Sequence, residues 1–201
     1  MNKGSSDIAL MLLVKSGDEG AFEILHSRYQ RKVVAFFWGL IRDAQLANDL
    51  CQETFLRVWM VRKRYQATGT FCGYLFGIAR MIWLERSRTI KKESRLGTPC
   101  TLEALEWCME NMADKYKNPA ENQELTDAFW NALAVLPEEQ RMVFVMRNIE
   151  GLSLDDIATA LDCPVNTVRS RKMLAVNKLR VLLSDVYTAL IGANLNSGGG
   201  R

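Results

Sequence analysis

The sequence is poor in histidine, and its cysteines show no pairing pattern. Its 201 residues contain one histidine, His26, and five cysteines, an odd number without any C-x-x-C spacing. A metal site therefore has almost no ligands to draw on, and neither a metal nor a disulfide framework is expected. We interpret the cysteines as small apolar thiols of a reduced, cytoplasmic protein. A redox-sensing pair formed by Cys100 and Cys108 is the alternative.

Long apolar runs are also lacking. The longest, residues 33–41, has about half of the roughly 20 residues that span a bilayer, so no membrane insertion is expected. Residues 8–14 resemble the apolar part of a short signal peptide, but Lys15 follows them without a cleavage pattern, which favours an amphipathic first helix. A hydrophobic content of 48% with 24% charged residues excludes disorder as the main state.

The net charge of +3 hides an uneven distribution along the chain. Residues 61–95 hold nine basic and two acidic residues, whereas residues 96–140 hold two basic and nine acidic ones. Residues 141–201 are basic again, with eight basic and five acidic residues. Two basic blocks around an acidic one indicate two anion-binding surfaces joined by a segment that avoids them.

Helical periodicity predominates throughout, because apolar residues are mostly three and four positions apart. We predict an all-α fold of two small helical domains joined by an acidic linker, the second domain containing a helix-turn-helix. The predicted divisions are residues 1–92, a linker at 93–123, residues 124–187 and a flexible tail at 188–201. The predicted helices are residues 6–15, 19–40, 44–64, 71–92, 102–116, 120–135, 138–149, 153–161 and 165–190.

The helix-turn-helix is predicted from its caps and its turn. Ser153 suits the N-cap of a short helix, with Asp156 as the acidic partner three residues on. Pro164 disfavours helix at Cys163, so the turn falls there. The helix that follows has an apolar face formed by Val168, Ala175, Leu179 and Leu182.

The opposite face of that following helix suits the major groove of DNA, where arginine reads guanine and asparagine reads adenine. Arg171, Lys172 and Lys178 lie off this face and are expected to touch phosphates. The alternative is a packed helical hairpin with a solvated charged face. The face comprises Asn166, Ser170, Met173 and Asn177, flanked by Arg169 and Arg180.

Two further surfaces precede this motif. On the helix predicted over residues 71–92, Phe76 and Trp83 bracket Arg80 on the side opposite the apolar stripe. Exposed aromatic rings beside arginine suit unpaired bases, which stack on them; the alternative is that both rings pack under another helix. The preceding helix has a polar face that is either solvated or a protein interface. That face consists of Asp49, Gln52, Glu53 and Arg57.

Five motifs stand in a fixed order along the chain, and together they resemble bacterial sigma-70-family RNA polymerase sigma factors of the extracytoplasmic function (ECF) group. The resemblance covers residues 8–92 and 120–183. The motifs are DLCQETFLRVW at 49–59, IAR at 78–80, LPEEQR at 136–141, GLSLDDIA at 151–158 and CPVNTVRSR at 163–171.

The resemblance implies a transcription initiation factor without catalytic activity. Its first domain would bind the clamp of core RNA polymerase and melt the minus-ten element of promoter DNA into single strands. Its second domain would read the duplex minus-thirty-five element and dock on the polymerase flap. An anti-sigma factor that clamps both domains is expected as a further partner, and no cofactor is expected.

The resemblance also implies site residues, by position in the motifs. Those for core polymerase binding are Asp49, Gln52, Glu53 and Arg57. Those for the minus-ten element are Arg62, Lys63, Arg64, Tyr74, Phe76, Arg80, Met81, Trp83 and Arg88. Those for the minus-thirty-five element are Asn166, Thr167, Arg169, Ser170, Arg171, Lys172, Met173, Asn177 and Lys178.

Some positions depart from the family pattern. Met81 and Glu85 stand where Asn and Asp are usual, which alters the expected minus-ten preference. Leu174 and Val176 stand where arginines are common, so the far end of the second helix should hold phosphate less tightly.

A different class of function remains open, a stand-alone helix-turn-helix regulator whose first half serves for dimerisation or sensing. Such a regulator binds duplex DNA alone, whereas a sigma factor binds its promoter well only with core polymerase. An enzyme is a weaker hypothesis. The neighbouring carboxylates Asp155 and Asp156 point about 100° apart on a helix, so they suit capping better than acid–base catalysis.

Overall fold

The computed structural model describes residues 5–93 and 123–197, and the side chains of residues 5–88 and 127–184. All regular structure within these ranges is helical, which confirms the all-α class. The predicted helix at 102–116, Cys100, Cys108 and nearly all of the predicted linker lie outside the described residues. The helices are α1 (Asp7–Ser16), α2 (Glu19–Ile41), α3 (Ala44–Val61), α4 (Phe71–Glu93), α5 (Gln123–Ala134), α6 (Glu138–Phe144), α7 (Leu154–Leu161) and α8 (Val165–Ser197).

Short polar side chains set where several helices begin. Asp18 accepts a hydrogen bond from the backbone N–H of Ala21 at 2.9 Å, and Asp43 accepts one from Leu46 at 3.0 Å. Each bond satisfies a donor that the first turn of a helix leaves unpaired. Gly17 ends α1 with a φ of 102°, which glycine adopts without strain. The chain therefore turns sharply between α1 and α2.

Helices α1–α4 pack into one group with a core of large apolar side chains. Leu25, Phe36 and Leu75 are fully buried in it. The Asp7 carboxylate joins α1 to α2 by accepting hydrogen bonds from Arg28 at 2.5 Å and from the Tyr29 hydroxyl at 2.6 Å. Burial raises the pKa of Tyr29, and the bond to Asp7 adds to the rise. The phenol therefore stays a hydrogen-bond donor.

Helices α5–α8 form a second group that contains the helix-turn-helix, α7 and α8. The Asp156 N–H donates to Ser153 Oγ at 3.0 Å, and the Ser153 hydroxyl donates to Asp156 Oδ2 at 2.6 Å. This confirms the predicted cap. Asp162 ends α7 in the left-handed region with a φ of 49°, and α8 begins at Val165 directly after Pro164. Between α6 and α7, Val145–Ile149 form a short π-helix, which is here called the π-turn.

Three helix ends differ from the prediction. Helix α6 ends at Phe144 instead of residue 149, and Val145–Ile149 continue as a π-helix. Helix α3 ends at Val61, and Arg62–Arg64 tighten into a 3₁₀ turn, which is common at the C-terminus of an α-helix. Helix α8 continues to Ser197 instead of ending at residue 190, so ten residues of the predicted tail are helical. Good helix formers occupy much of that stretch, and Gly192 alone opposes helix strongly there.

The two helical groups pack directly against each other. Helix α4 lies along α7, while α2 contacts the π-turn and α6. A Cβ placed on Gly73 of α4 would lie 3.1 Å from the Cβ of Thr159 of α7. The indole rings of Trp38 in α2 and Trp130 in α5 meet edge-on, with their centroids 4.4 Å apart. The described chain is therefore closed on itself.

The thiols of Cys51 in α3, which is buried, and of Cys72 in α4, which is half-buried, should react slowly with alkylating reagents. Burial raises the pKa of Cys51 to about 12 and that of Cys72 to about 12, so at pH 8 the reactive thiolate is on the order of a thousandfold scarcer than in a free cysteine. We expect iodoacetamide to label both residues only after denaturation in guanidinium, as measured by peptide mass spectrometry. Labelling of the native chain at the rate of a small free thiol would contradict this expectation.

Candidate nucleic-acid interface

The first turns of α8 expose the face that the sequence predicts for DNA reading. Val168, Ala175 and Leu179 are buried on the inner side of the helix. The outer side is exposed, and its first turns follow directly after α7 and the turn at Pro164. The exposed residues are Asn166, Arg169, Ser170, Met173, Asn177, Lys178 and Arg180.

Hydrogen bonds within that face orient its polar groups. Arg169 Nη1 donates to Asn166 Oδ1 at 3.1 Å, and the Ser170 hydroxyl donates to the Asn166 carbonyl at 3.0 Å. The guanidinium and the amide therefore stand side by side at the start of the helix, each with further donors available to a ligand. Paired arginine and asparagine side chains of this kind can contact adjacent base edges in a major groove.

Arg171 has a different environment from the one expected of a phosphate contact. Its guanidinium pairs with the Glu139 carboxylate of α6, and Nη1 also donates to the Cys163 sulfur at 3.6 Å. These bonds join α6, the turn and α8. In this arrangement Arg171 fixes the position of the recognition helix, and it must leave Glu139 to reach a phosphate. Thr167 and Lys172 are half-buried.

The aromatic surface predicted on α4 is wrong. Phe76 is 0% exposed, and its ring meets Phe36 of α2 edge-on at 5.5 Å. Trp83 is 4% exposed. The alternative, that both rings pack under other helices, is therefore correct. The single-helix pattern placed them opposite the main apolar stripe, but α4 has neighbours on more than one side, including α3, α2 and α7.

The other basic and aromatic residues predicted for the minus-ten element differ in how far their side chains are exposed. Arg62 lies over the Trp59 ring at 4.1 Å and donates to the Trp59 carbonyl at 2.7 Å. Tyr74 is half-buried and meets Tyr65 edge-on at 4.9 Å. Arg80 is half-buried too, and its Nε has no hydrogen-bond partner within the described part of the chain. Four of the predicted residues are exposed, namely Lys63, Arg64, Met81 and Arg88.

The polar face of α3 is exposed and has an apolar centre that sequence reasoning missed. Arg57 donates to both carboxylate oxygens of Glu85 at 3.0 Å and to Glu53 at 3.1 Å, which joins α3 to α4. Between the charged residues lie Leu56 at 59% exposure and Met60 at 70%. Their signal in the sequence was two large apolar residues, four positions apart, off the core stripe of the helix. Asp49 and Gln52 are exposed on the same side.

Neither a membrane span nor a metal cluster is found in the portion of the chain that the structure describes. No helix there is long and apolar enough to cross a bilayer. Nor do three or more histidine, cysteine, aspartate or glutamate side chains come together in a metal-binding group within those residues.

Comparison with known families matches both helical groups. The family model described as Sigma-70 region 2 matches residues 25–93, and the one described as Sigma-70, region 4 matches residues 126–179. The first match ends with α4, and the second covers α6, α7 and the first half of α8 together with most of α5. Residues 94–125, between the two matches, include nearly all of the predicted acidic linker.

Curated relatives match over most of their length. The RNA polymerase sigma-H factor of Pseudomonas aeruginosa is 32% identical over 170 residues, which covers 82% of this chain and 87% of that protein. The ECF RNA polymerase sigma-E factor of Escherichia coli K12 is 28% identical over 179 residues, covering 85% of this chain and 91% of that protein.

Solved structures share the fold. CnrH in complex with the cytosolic domain of CnrY superposes with a TM-score of 0.63 at 23% identity, covering 90% of this chain and 99% of that one. The sigma factor RpoE in complex with the anti-sigma factor NepR from Bartonella quintana gives a TM-score of 0.62 at 24% identity, covering 81% of this chain and 96% of that one. These likenesses establish the two-domain helical architecture.

Truncating Phe76 should destabilise the N-terminal helices. Because the ring is fully buried against Phe36, Phe76→Ala is expected to lower the free energy of unfolding by about 3–5 kcal/mol. Met81→Ala on the same helix, where the side chain is 53% exposed, is the matched control and should change it by less than about 1 kcal/mol. Urea denaturation followed by circular dichroism measures both. Equal stability of the two variants would show that Phe76 is not a core residue.

Proposed function

This chain belongs to the sigma-70 family of RNA polymerase sigma factors, in the ECF group, and we propose that residues 1–92 and 124–187 act as its promoter-opening and duplex-reading domains. As a sigma factor it directs core RNA polymerase to promoter DNA. We further propose that it has no catalytic activity of its own and works in the cytoplasm. The observation that carries the residue-level proposal is the exposed Asn166–Arg169 pair on α8, held by the caps of the helix-turn-helix.

Helix α8 is the proposed reader of the minus-thirty-five element. Arg169 and Asn166 contact base edges in the major groove, while Lys178 and Arg180 contact phosphates along the same helix. Arg171 is assigned a positioning role, since its bond to Glu139 holds α8 against α6. Of the basic residues in this helix, only Arg169 is therefore assigned to base reading.

Helix α3 is the proposed docking surface for core polymerase. Leu56 and Met60 form an apolar centre, and the surrounding charges of Asp49, Glu53 and Arg57 form a polar rim, which is the usual anatomy of a protein interface. Glu85 holds Arg57 in place from the neighbouring helix. The exposed cations near α4 are then proposed to bind the phosphates of the melted minus-ten strand, chiefly Lys63, Arg64 and Arg88.

An anti-sigma factor is a further proposed partner. RpoE from Bartonella quintana, which shares the architecture, has been solved in complex with the anti-sigma factor NepR. The surfaces available to such a partner include the apolar centre of α3, which the closed chain leaves exposed.

Initiation in the presence of core polymerase tests the role of α3. The double variant Leu56→Ser, Met60→Ser is expected to lower affinity for core polymerase by about tenfold, because it removes the apolar centre of the interface. Leu12→Ser, Leu13→Ser on α1 removes two apolar residues of similar exposure and serves as the matched control. Core affinity is measured by biolayer interferometry and initiation by transcription from a genomic promoter library.

Two outcomes would count against these roles. Equal core affinity of the two double variants would remove α3 from the polymerase interface. Tight binding of duplex promoter DNA by the chain alone, with no gain from core polymerase, would favour the stand-alone regulator.

Substitutions on α8 separate base reading from phosphate binding. Arg169→Ala should relax base preference at one position of the minus-thirty-five element, at a cost of about 1–3 kcal/mol on the preferred sequence. Lys178→Ala should weaken binding about equally on all sequences and reduce the slope of log affinity against log salt by about one. The measurement is holoenzyme binding to a set of singly substituted promoters at several salt concentrations. Identical losses for both variants at every site would contradict the assignment.

A further inference from the structure

The connection between α3 and α4 carries two of the cations that are proposed to bind the melted minus-ten strand, Lys63 and Arg64. This connection, residues 62–70, is here called the basic loop. Its side chains are exposed except for Arg62, which is half-buried, and Tyr65, which is 2% exposed. The shape of the basic loop therefore depends on how Tyr65 is held.

Aromatic packing holds the Tyr65 ring but does not orient its backbone. The ring meets Tyr74 of α4 edge-on with the centroids 4.9 Å apart, and the Tyr74 centroid lies 6.4 Å from that of Phe71. Tyr29 of α2 meets Phe71 at 5.3 Å, so the four rings form one row from the basic loop to α2. The buried Tyr65 hydroxyl has no hydrogen-bond partner among the described residues. Apolar packing is non-directional, so the peptide group of Tyr65 needs a second contact to fix it.

A lysine of α1 supplies that second contact. Lys15 Nζ donates a hydrogen bond of 2.8 Å to the Tyr65 carbonyl, fifty positions along the chain. Within the ranges that the structure describes, it is the only hydrogen bond that joins residues 63–69 to another helix. No carboxylate in those ranges pairs with the Lys15 ammonium. A charged donor forms a stronger hydrogen bond than a neutral one, so the ammonium is committed to the basic loop.

The bonded carbonyl lies where the chain changes direction. Residues 62–64 form the 3₁₀ turn, and Tyr65 leaves it with a φ of −57° and a ψ of 132°, which is extended backbone. The Tyr65 carbonyl belongs to the rigid peptide group that joins residues 65 and 66. Fixing this group sets the course of residues 66–70 and, through the 3₁₀ turn, the placement of Lys63 and Arg64.

Helix α1 is itself held firmly against α2. Val14, one position before Lys15, is fully buried in the N-terminal core. At the start of α1, Asp7 accepts a hydrogen bond from the Tyr29 hydroxyl at 2.6 Å. Because the Tyr29 ring belongs to the row that ends at Tyr65, α1 is tied to both ends of that row. Lys15 therefore donates from a fixed base.

We propose that Lys15 is a positioning residue for promoter opening, which holds the basic loop in the shape that presents Lys63 and Arg64 to the melted minus-ten strand. This inference rests on the proposed function. A loop that is ordered in advance loses little conformational freedom when the strand binds, so its cations bind more tightly. Lys15 acts through the Tyr65 carbonyl and does not touch the strand.

A positioning role predicts a loss of affinity that salt does not alter. The cations of the basic loop remain when Lys15 is replaced, so the same number of phosphates is neutralised once the strand has ordered the loop. Affinity then falls by the cost of ordering, while the slope of log affinity against log salt stays the same. A lysine that contacted a phosphate would instead contribute about 0.7 to that slope on a single strand.

Replacement of Lys15 in the holoenzyme tests the proposal. Lys15→Met removes the donor and keeps an unbranched stem, and it is expected to lower affinity for a single-stranded minus-ten oligonucleotide by about fivefold at low and high salt alike. Lys15→Arg should recover the affinity to within about twofold, because a guanidinium also donates to a carbonyl. Arg31→Met removes an exposed charge from α2 and is the matched control. Fluorescence anisotropy measures the affinity, with an oligonucleotide taken from a promoter that is recovered in the library transcription.

Affinity for core polymerase is measured on the same variants. The positioning role would be overturned by an unchanged oligonucleotide affinity of Lys15→Met, or by a loss in which the salt slope becomes shallower by about 0.7. An equal fall in affinity for core polymerase would make Lys15 a general structural residue and would overturn the role as well. Wild-type holoenzyme that binds the minus-ten oligonucleotide no better than a scrambled one would overturn the proposed function itself.

Discussion

Close packing of α7 on α4 depends on the absence of a side chain at Gly73, while Gly77 lies in ordinary contact with the backbone of Ala160. A methyl group at position 73 would lie 3.1 Å from the Thr159 side chain and 3.3 Å from the Asp156 carbonyl, so even alanine would require its neighbours to move by a few tenths of an ångström. Glycine costs a helix up to about 1 kcal/mol relative to alanine in its interior. Two of them on one face of α4 weaken that helix locally, and in return the face accepts the backbone of a second helix.

Each of the two DNA-facing regions is built on a helix whose inner side is anchored elsewhere. Helix α8 is fixed by Val168 and Ala175 in the C-terminal core, and by the bond of Arg171 to Glu139. Helix α4 is fixed by Leu75 and Phe76 in the N-terminal core. Because neither set of anchors crosses between the helical groups, the shape of each surface is set within its own group.

The sequence was sufficient for the features that local chemistry decides. The Ser153–Asp156 cap, the turn at Pro164 and the exposed face of α8 all follow from spacing within about twenty residues. Burial of Phe76 could not be predicted, because it depends on Phe36, forty positions away, and the periodicity of one helix does not count its neighbours. Pairing of Arg171 with Glu139 was missed for the same reason. The exposed centre of α3 does leave a signal in the sequence, because Leu56 and Met60 are four positions apart and off the core stripe of the helix.

The contact between the two helical groups combines a polar bond at its edge with apolar packing. The Thr70 hydroxyl donates to Asp156, which also keeps its bonds with Ser153. Thr70 caps α4 through Gly73, and Asp156 belongs to the cap of α7, so neither cap depends on the bond between them. An exposed hydrogen bond contributes little net free energy, because water can replace either partner. The contact therefore rests mainly on packing, through Trp38 on Trp130 and the close approach of α7 to Gly73.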